Sequence, residues 1–233
     1  MKQTLIITLI AISALTTFSL LPSAQAYSAD GNLNSEASCT SLVAGTWSDG
    51  NKCTITNPIT INSGQTLTID SGYKVINNSG GTGITNSGII NNNGIIYNSG
   101  IINNNGIIYN SGTITNYTAG TITNNSGGII TVSNTDGTGI HNKGTIMNSG
   151  TINVSNTSGE SINNYTTGTI TNNSGGIITV SNTVGTGISN SGIINNNSGG
   201  IITVSNTGTY GIVSWGTITN NSGGIITVSN TVG

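Results

Sequence analysis

The sequence predicts an all-β protein built as a parallel β-solenoid, a right-handed β-helix with about 24 residues per coil. Two observations support this. β-branched Ile, Thr and Val recur at fixed spacing between glycines, and no stretch places apolar residues at helical intervals, so no helix is expected after residue 26. A 24-residue unit is also written almost five times, beginning at Gly120, Gly144, Gly168, Gly192 and Gly216.

The internal division of this unit indicates that each copy closes one coil. The copy at 120–143 consists of segments of 8, 11 and 5 residues, whereas the copy at 144–167 has segments of 6, 9 and 9 residues. The sum is the same in both cases. A constant sum with variable parts is expected if every unit must return to the same position around a solenoid axis.

Composition restricts the function classes. Charged residues make up 4% of the chain, against about 25% in typical soluble proteins, and all four basic residues are lysines. The formal net charge is −2, so the chain lacks the basic surface that nucleic-acid binding requires. The regular Ile and Val spacing favours an ordered fold over the disorder that a polar, charge-poor composition often indicates.

Residues 1–26 have the pattern of a secretory signal peptide. Lys2 gives a positive start, residues 5–21 are largely apolar, and Ala24-Gln25-Ala26 is a small-x-small cleavage site. The alternative is a retained membrane anchor, although several Ser and Thr interrupt the apolar run. No later stretch is long and apolar enough to span a bilayer, so we expect a secreted or cell-surface protein.

Residues 27–38 are polar and are expected to form a flexible lead-in, and residues 39–75 an N-terminal cap with the first strands. Export permits a disulfide between Cys39 and Cys53. The closed loop of about 15 residues would stabilise the fold by about 3 kcal/mol. The alternatives are two free thiols or a metal site, and no further Cys or nearby His is present to complete a metal site.

Residues 76–233 are expected to form the Gly/Asn/Ile/Thr solenoid. Within 88–111 a shorter unit, Gly-Ile-Ile-x-Asn-x, repeats as a hexad. Four such hexads equal one 24-residue unit, but 12- or 18-residue coils built from two or three hexads are the alternative. The chain stops inside a repeat at Gly233, which is expected of a fragment or of a solenoid whose last coil is uncapped.

The position of Ile within each segment predicts which side chains point inward. In Gly120-Thr121-Ile122-Thr123 the Ile is the apolar residue, so it should face the core and both Thr should face solvent. The expected internal column is Ile122, Ile146, Ile170, Ile194 and Ile218, and the abundant Asn would stack into ladders at the corners.

The same alternation gives a candidate interaction surface. The residue before each inward Ile should face solvent and form an exposed apolar stripe, unless bent strand ends bury both members of a pair. The candidates are Ile89, Ile95, Ile101, Ile107, Ile129, Ile177, Ile201 and Ile225.

The sequence offers few groups for catalysis. Asp136 and Glu160 form the one acid pair that adjacent coils could bring within the roughly 5–10 Å that glycoside hydrolysis requires. His141 and Lys143 are interpreted as exposed variation in one repeat. We expect no enzyme activity, no cofactor and no metal site.

Two further surface hypotheses follow from the polar residues. Paired threonines such as Thr121/Thr123 could form an ice-binding ladder, but alternate coils replace them. Asn-x-Ser/Thr triplets are candidate glycosylation sites in an exported protein, although an Asn-, Ser- and Thr-rich chain also produces them by chance. They are Asn77, Asn116, Asn124, Asn153, Asn156, Asn164, Asn172, Asn196 and Asn220.

The phrase Gly-Thr-Ile-x-Asn-x-Gly-x-Ile behind a signal peptide resembles autotransporter passenger regions and filamentous-haemagglutinin-like adhesins, over residues 54–233. The resemblance lies in composition and period. It implies a surface or extracellular protein with adhesive or structural work, whose candidate partners are surface glycans, other cell-surface proteins or further copies of the chain. The rival hypotheses are a pectin-lyase-like carbohydrate-active enzyme and an ice-binding solenoid.

Overall fold

The computed structural model describes residues 27–79 and 82–232 and shows an all-β solenoid. The predicted signal peptide lies outside the described residues. The elements in chain order are β1 (Tyr27–Ser28), β2 (Gly31–Leu33), α1 (Glu36–Val43), β3 (Thr46–Ser48), β4 (Lys52–Ile55), β5 (Ile59–Ile61), β6 (Thr66–Ile69), β7 (Lys74–Asn77), β8 (Thr82–Asn86), β9 (Ile89–Asn92), β10 (Ile95–Asn98), β11 (Ile101–Asn104), β12 (Ile107–Asn110), β13 (Ile114–Asn116), β14 (Thr121–Asn124), β15 (Ile129–Ser133), β16 (Ile140–Asn142), β17 (Thr145–Asn148), β18 (Thr151–Ser155), β19 (Ile162–Asn164), β20 (Thr169–Asn172), β21 (Ile177–Thr183), β22 (Ile188–Asn190), β23 (Ile193–Asn196), β24 (Ile201–Thr207), β25 (Ile212–Ser214), β26 (Thr217–Asn220) and β27 (Ile225–Thr231).

The strands form three nine-stranded sheets. Sheet 1 has the order β1-β5-β8-β11-β14-β17-β20-β23-β26, sheet 2 the order β2-β6-β9-β12-β15-β18-β21-β24-β27, and sheet 3 the order β25-β22-β19-β16-β13-β10-β7-β4-β3. From β4 onward, successive strands along the chain therefore belong to different sheets, and every third strand returns to the same sheet one coil further on. Each segment of the 24-residue unit supplies one strand and the corner that follows it.

Coil length changes along the chain. Within the hexad region Ile89 pairs with Ile107, so three hexads close one coil. From Thr121 onward the strands of sheet 1 pair with strands one 24-residue unit further on, as between Thr121 and Thr145. The 24-residue coil predicted for the main array is confirmed, and the 18-residue alternative applies to the hexads. The longer coil has the same three sides and adds its residues at the corners.

The N-terminal end is more regular than the sequence indicated. β1 and β2 lie where a flexible lead-in was expected, and α1 corrects the prediction of a chain without helix. Ser35 caps the helix, in a capping box with Ser38, and α1 contacts β1, β2, β3 and β4. The helix forms because this packing buries Cys39 and Val43, not because its sequence is strongly helical.

A disulfide joins the helix to the first parallel coil. Cys39 and Cys53 are bonded, with 5.6 Å between their Cα atoms, and Gly45 packs against both sulfurs. Cys53 lies in β4, which pairs with β3 in an antiparallel hairpin and with β7 in parallel. No helix in the described ranges is long and apolar enough to cross a membrane.

The core is a stack of aliphatic side chains that alternate inward along each strand. Ile122, Ile146, Ile170 and Ile194 are in register and buried, as predicted, and Ile218 in the last described coil is partly buried. Each fully buried Ile stabilises the fold by about 1.5–3 kcal/mol relative to exposure.

Asparagine ladders fill the inner ends of sheets 1 and 3. On sheet 1 each side-chain amide donates to the Asn one coil further on, at 2.8 or 2.9 Å, from Asn86 to Asn220. The sheet 3 ladder runs from Asn77 to Asn190 at 2.7 or 2.8 Å. The predicted ladders are present, and they are buried. A separate column of outer corner Asn has left-handed backbone, with φ between 50 and 56°: Asn134, Asn156, Asn182, Asn206 and Asn230.

Candidate functional site: the outer faces of the solenoid

The outer face of sheet 2 repeats one pattern over its last three strands. β21, β24 and β27 have the same sequence, Ile-Ile-Thr-Val-Ser-Asn-Thr, and pair in register. Neighbouring strands lie about 4.8 Å apart, so identical groups recur at that interval. The outward columns are Ile177, Ile201 and Ile225, then Thr179, Thr203 and Thr227, then Ser181, Ser205 and Ser229.

The eight predicted outward isoleucines do not form one stripe. Ile101 lies on sheet 1 and Ile95 on sheet 3. The other six share one column on sheet 2, which Thr151 interrupts: Ile89, Ile107, Ile129, Ile177, Ile201 and Ile225.

The degree of exposure also varies within this set. Ile177 and Ile225 are 38% and 53% exposed, and the other six are half-buried. The following Ile of each pair is buried, except in the last strand. Ile193 on sheet 1 is 43% exposed and was missing from the predicted set.

Sheet 1 carries the threonines considered for ice binding. Thr121, Thr145 and Thr169 are in register, but Ile193 follows them. The outward position two residues further along each strand forms a second column, in which Met147 and Asn195 alternate with threonines. The described strands therefore contain no uninterrupted Thr-x-Thr ladder, which does not favour an ice-binding face.

Burial argues against most of the candidate glycosylation sites. Six of the nine candidates belong to the inner ladders and have no exposed surface: Asn77, Asn116, Asn124, Asn164, Asn172 and Asn196. A glycan on any of them would break the amide ladder and could not be accommodated in the core. Asn153 and Asn156 lie on outer positions, and Asn220 ends its ladder in the exposed last coil. In five of these six triplets an exposed Ser or Thr follows the ladder Asn by two residues, and the exception is Asn77, whose triplet ends in the buried Ser79.

Sheet 3 carries aromatic and basic side chains together. Tyr97 lies on β10, and the ring of Tyr117, from the corner after β13, stacks on it with 5.8 Å between centroids and 22° between planes. Lys52, Lys74 and Ile76 lie on the adjoining strands β4 and β7. These five residues line an open groove of about 330 Å³, which we call the tyrosine–lysine groove.

A second cluster lies further along sheet 3. His141 stacks on Tyr165 with 5.8 Å between centroids, and its Nδ1 lies 3.1 Å from the Tyr165 hydroxyl. Lys143 Nζ lies 4.9 Å from the centre of the same ring, within cation–π range. Partial burial lowers the pKa of His141, against an opposing effect of the Glu160 carboxylate. The neutral imidazole is therefore favoured in the folded protein.

The acid pair considered for catalysis is not aligned. Ser158 and Gly159 bond back to Thr135 and Gly137, so Asp136 lies next to Ser158. Glu160 lies two residues further along, and its carboxylate accepts from the Asn163 amide. Nowhere in residues 27–79 and 82–232 do three or more His, Cys, Asp or Glu side chains gather as they would around a metal ion.

The two clusters on sheet 3 were not predicted from the sequence. His141 and Lys143 are not the unrelated exposed variation that was expected, because both contact the Tyr165 ring. The available signal was the recurrence of Asn-Tyr-Thr at 116–118 and 164–166, which puts two tyrosines at the same corner. The grouping with Lys52 and Lys74 depends on the pairing of β4 with β7 and of β7 with β10, in which Lys52 aligns with Lys74 and Lys74 with Ile95, at intervals that match neither the 18- nor the 24-residue coil.

No protein-family profile matches the chain, and no curated protein matches it. Among solved structures, the chain is similar to the crystal structure of a TibC-catalysed, hyper-glycosylated TibA fragment. The identity is 21%, the match covers 79% of this chain and 77% of that chain, and the TM-score is 0.17. At that TM-score the similarity carries no conclusion about function.

Proposed function

We propose that this chain is a non-catalytic, exported surface or extracellular protein that adheres through repeated contacts along its side walls. The observation that carries the proposal is the outer face of sheet 2, where three consecutive coils present identical Ile, Thr and Ser columns. When identical weak sites on a rigid support bind a repetitive partner simultaneously, the combined affinity exceeds that of any single contact by orders of magnitude.

The chemistry of the remaining surface supports a binding role over catalysis. Asp136 and Glu160 are out of register on neighbouring coils. Hydrolysis of a glycosidic bond by two carboxyl groups requires them to converge on one bond. Incubation with polysaccharides is expected to release no reducing ends, and sustained release would reject the non-catalytic part of the proposal.

Adhesion is tested with beads that carry the purified full chain, scored for clumping and for retention on cells. Replacing Ile177, Ile201 and Ile225 together by Asn should reduce retention or clumping about a hundredfold, because three contacts of one array are lost at once. Asn suits these outward positions because the chain already carries outward Asn on its sheets.

The matched control replaces three outward residues of sheet 1 by Asn: Thr169, Ile193 and Thr217. This variant should retain the wild-type behaviour. Wild-type beads that neither clump nor adhere would overturn the proposed function. Equal losses in the two triple variants would show that sheet 2 is not the adhesive face.

A further inference from the structure

The tyrosine–lysine groove lies on the outer face of four successive strands of sheet 3, β4, β7, β10 and β13. The inward side chains of these strands are buried in the core. Val75 and Ile96 are buried beneath the strands that carry Lys74, Ile76 and Tyr97. The two tyrosine rings therefore lie on top of a complete core. Tyr117 remains 38% exposed in spite of the stacking. Exposed aromatic rings in a concave site are typical of ligand binding, because they offer a rigid apolar face with a polar hydroxyl.

The charges of the groove favour an anionic ligand. Lys52 is paired with Asp49, and this hydrogen bond raises the pKa of the lysine and lowers that of the carboxyl group. Lys74 lies next to Lys52 in register, and among the described residues it has no ion-pair partner. The three groups together carry one excess positive charge, so one carboxylate would balance the site.

The size and the mixed chemistry indicate the class of ligand. A volume of about 330 Å³ is at the small end of ligand sites, which suits one or two sugar rings. A pyranose has a C–H face that packs on an aromatic ring and hydroxyls that stay in water. Polyanions such as nucleic acid need many more cations than this groove holds.

We propose that the tyrosine–lysine groove binds a carboxylate-bearing sugar of a glycan. The Tyr97–Tyr117 pair covers the C–H face of the pyranose, and the Lys74 ammonium donates hydrogen bonds to the sugar carboxylate. Ile76 closes the apolar floor beside Tyr97. The inference goes beyond the proposed adhesive function, because it assigns a ligand class to a different face of the solenoid.

The test measures dissociation constants by saturation-transfer difference NMR on the purified full chain. The first probes are methyl β-D-glucuronide and methyl β-D-glucoside, which differ in having a carboxylate or a hydroxymethyl group. The glucuronide should bind at least about tenfold more tightly, as expected for hydrogen bonds to a charged group. A methyl glycoside of N-acetylneuraminic acid distinguishes a sialic-acid source from a uronic-acid source, and binding of either one supports the proposal.

Two variants assign the contacts. Lys74→Gln should weaken glucuronide binding about tenfold and leave glucoside binding unchanged. Tyr117→Ser should weaken both, and it should not disturb folding because Ser191 occupies the equivalent corner after a ladder Asn. The controls are Lys143→Gln, at the corner after β16 of sheet 3, and Tyr109→Ala, an exposed tyrosine of sheet 2. Both controls should retain wild-type affinity.

Three results would overturn the proposal: equal affinity for the glucoside, no effect of Lys74→Gln, or equally tight binding of an acetylated glutamyl tripeptide. The outcome is independent of the bead assay. Beads that adhere through sheet 2 while the groove binds no sugar would refute this inference alone. Glucuronide binding by a chain that adheres to nothing would refute the proposed adhesive function.

Discussion

Replacing one buried ladder Asn should destabilise the fold far more than replacing an outward Asn of the next strand. Asn148 is fully buried. Its oxygen accepts from Asn124 at 2.8 Å, and its amide donates to Asn172 at 2.8 Å, to the Ile177 carbonyl at 3.0 Å and to the Gly150 carbonyl at 3.1 Å. The amide has two N–H groups for its three acceptors, so these contacts amount to about three hydrogen bonds, and about 1 kcal/mol each predicts that Asn148→Ala costs about 3 kcal/mol.

The matched control is Asn153→Ala. Asn153 lies in β18, the strand that follows Asn148, points outward and is half-buried. Its replacement should change the free energy of unfolding by less than about 0.5 kcal/mol. Urea unfolding followed by far-UV circular dichroism gives both values. Because a solenoid unfolds as coupled neighbouring coils, hydrogen exchange should also show lost protection in β14 and β20, which flank the altered coil.

A second substitution at the same position separates the hydrogen bonds from side-chain volume. Asn148→Asp keeps the shape but replaces the amide donor with a carboxylate, which cannot donate when ionised. Burial raises the pKa of the new carboxyl group above the ordinary Asp pKa of about 3.9. The variant should therefore be least stable near neutral pH and recover as the pH falls through that raised pKa. Equal losses for Asn148→Ala and Asn153→Ala, or a pH-independent loss for Asn148→Asp, would refute the ladder argument.

Three further predictions concern other parts of the chain. Cys39→Ser with Cys53→Ser should lower the free energy of unfolding by about 3 kcal/mol, and a reductant should do the same to the wild type but not to the variant. Gly144→Ala should cost about 3 kcal/mol in a urea titration, with Thr145→Ala as the near-neutral comparison, because its Cβ would clash with two carbonyl oxygens of the preceding coil. His141 has a lowered folded pKa, so its contribution is present above pH 6.5 and is lost as the pH falls through the folded value. The urea midpoint should consequently drop more between pH 7.5 and pH 5 for the wild type than for His141→Asn, and equal drops would contradict the assignment.

Period and alternation were sufficient to predict the solenoid and its inward face. Every third strand must return to the same sheet, so a 24-residue unit in three segments places Ile122 over Ile146 whatever the details of the corners. Ile130 and Val132, at the equivalent alternate positions of the next strand, are buried as well. The handedness of the winding stays a prediction.

Sequence patterns were less informative wherever a feature depends on contacts between distant coils. Helix α1 is stabilised by contacts with four strands, and its own eight residues carry little helical signal. From the sequence the hexads could be grouped in twos, threes or fours, and the return to a three-sided cross-section decides for three. The predicted apolar stripe was divided among the three faces for the same reason, because successive hexads lie on successive sheets when three of them close one coil.

The outer faces differ in how closely they follow the repeat, and this difference suggests two modes of recognition. On sheet 2 the repeated Ile, Thr and Ser columns offer many equal contacts and little discrimination, which suits avidity for a repetitive partner. On sheet 3 basic and aromatic side chains lie together instead: Lys52, Lys74, Tyr97, His141 and Lys143. Changing an outward side chain of sheet 3 should cost little stability, because the amide ladder and the aliphatic core beneath the sheet do not depend on it. A solenoid of this kind can keep a constant scaffold and one repetitive face while residues of another face change.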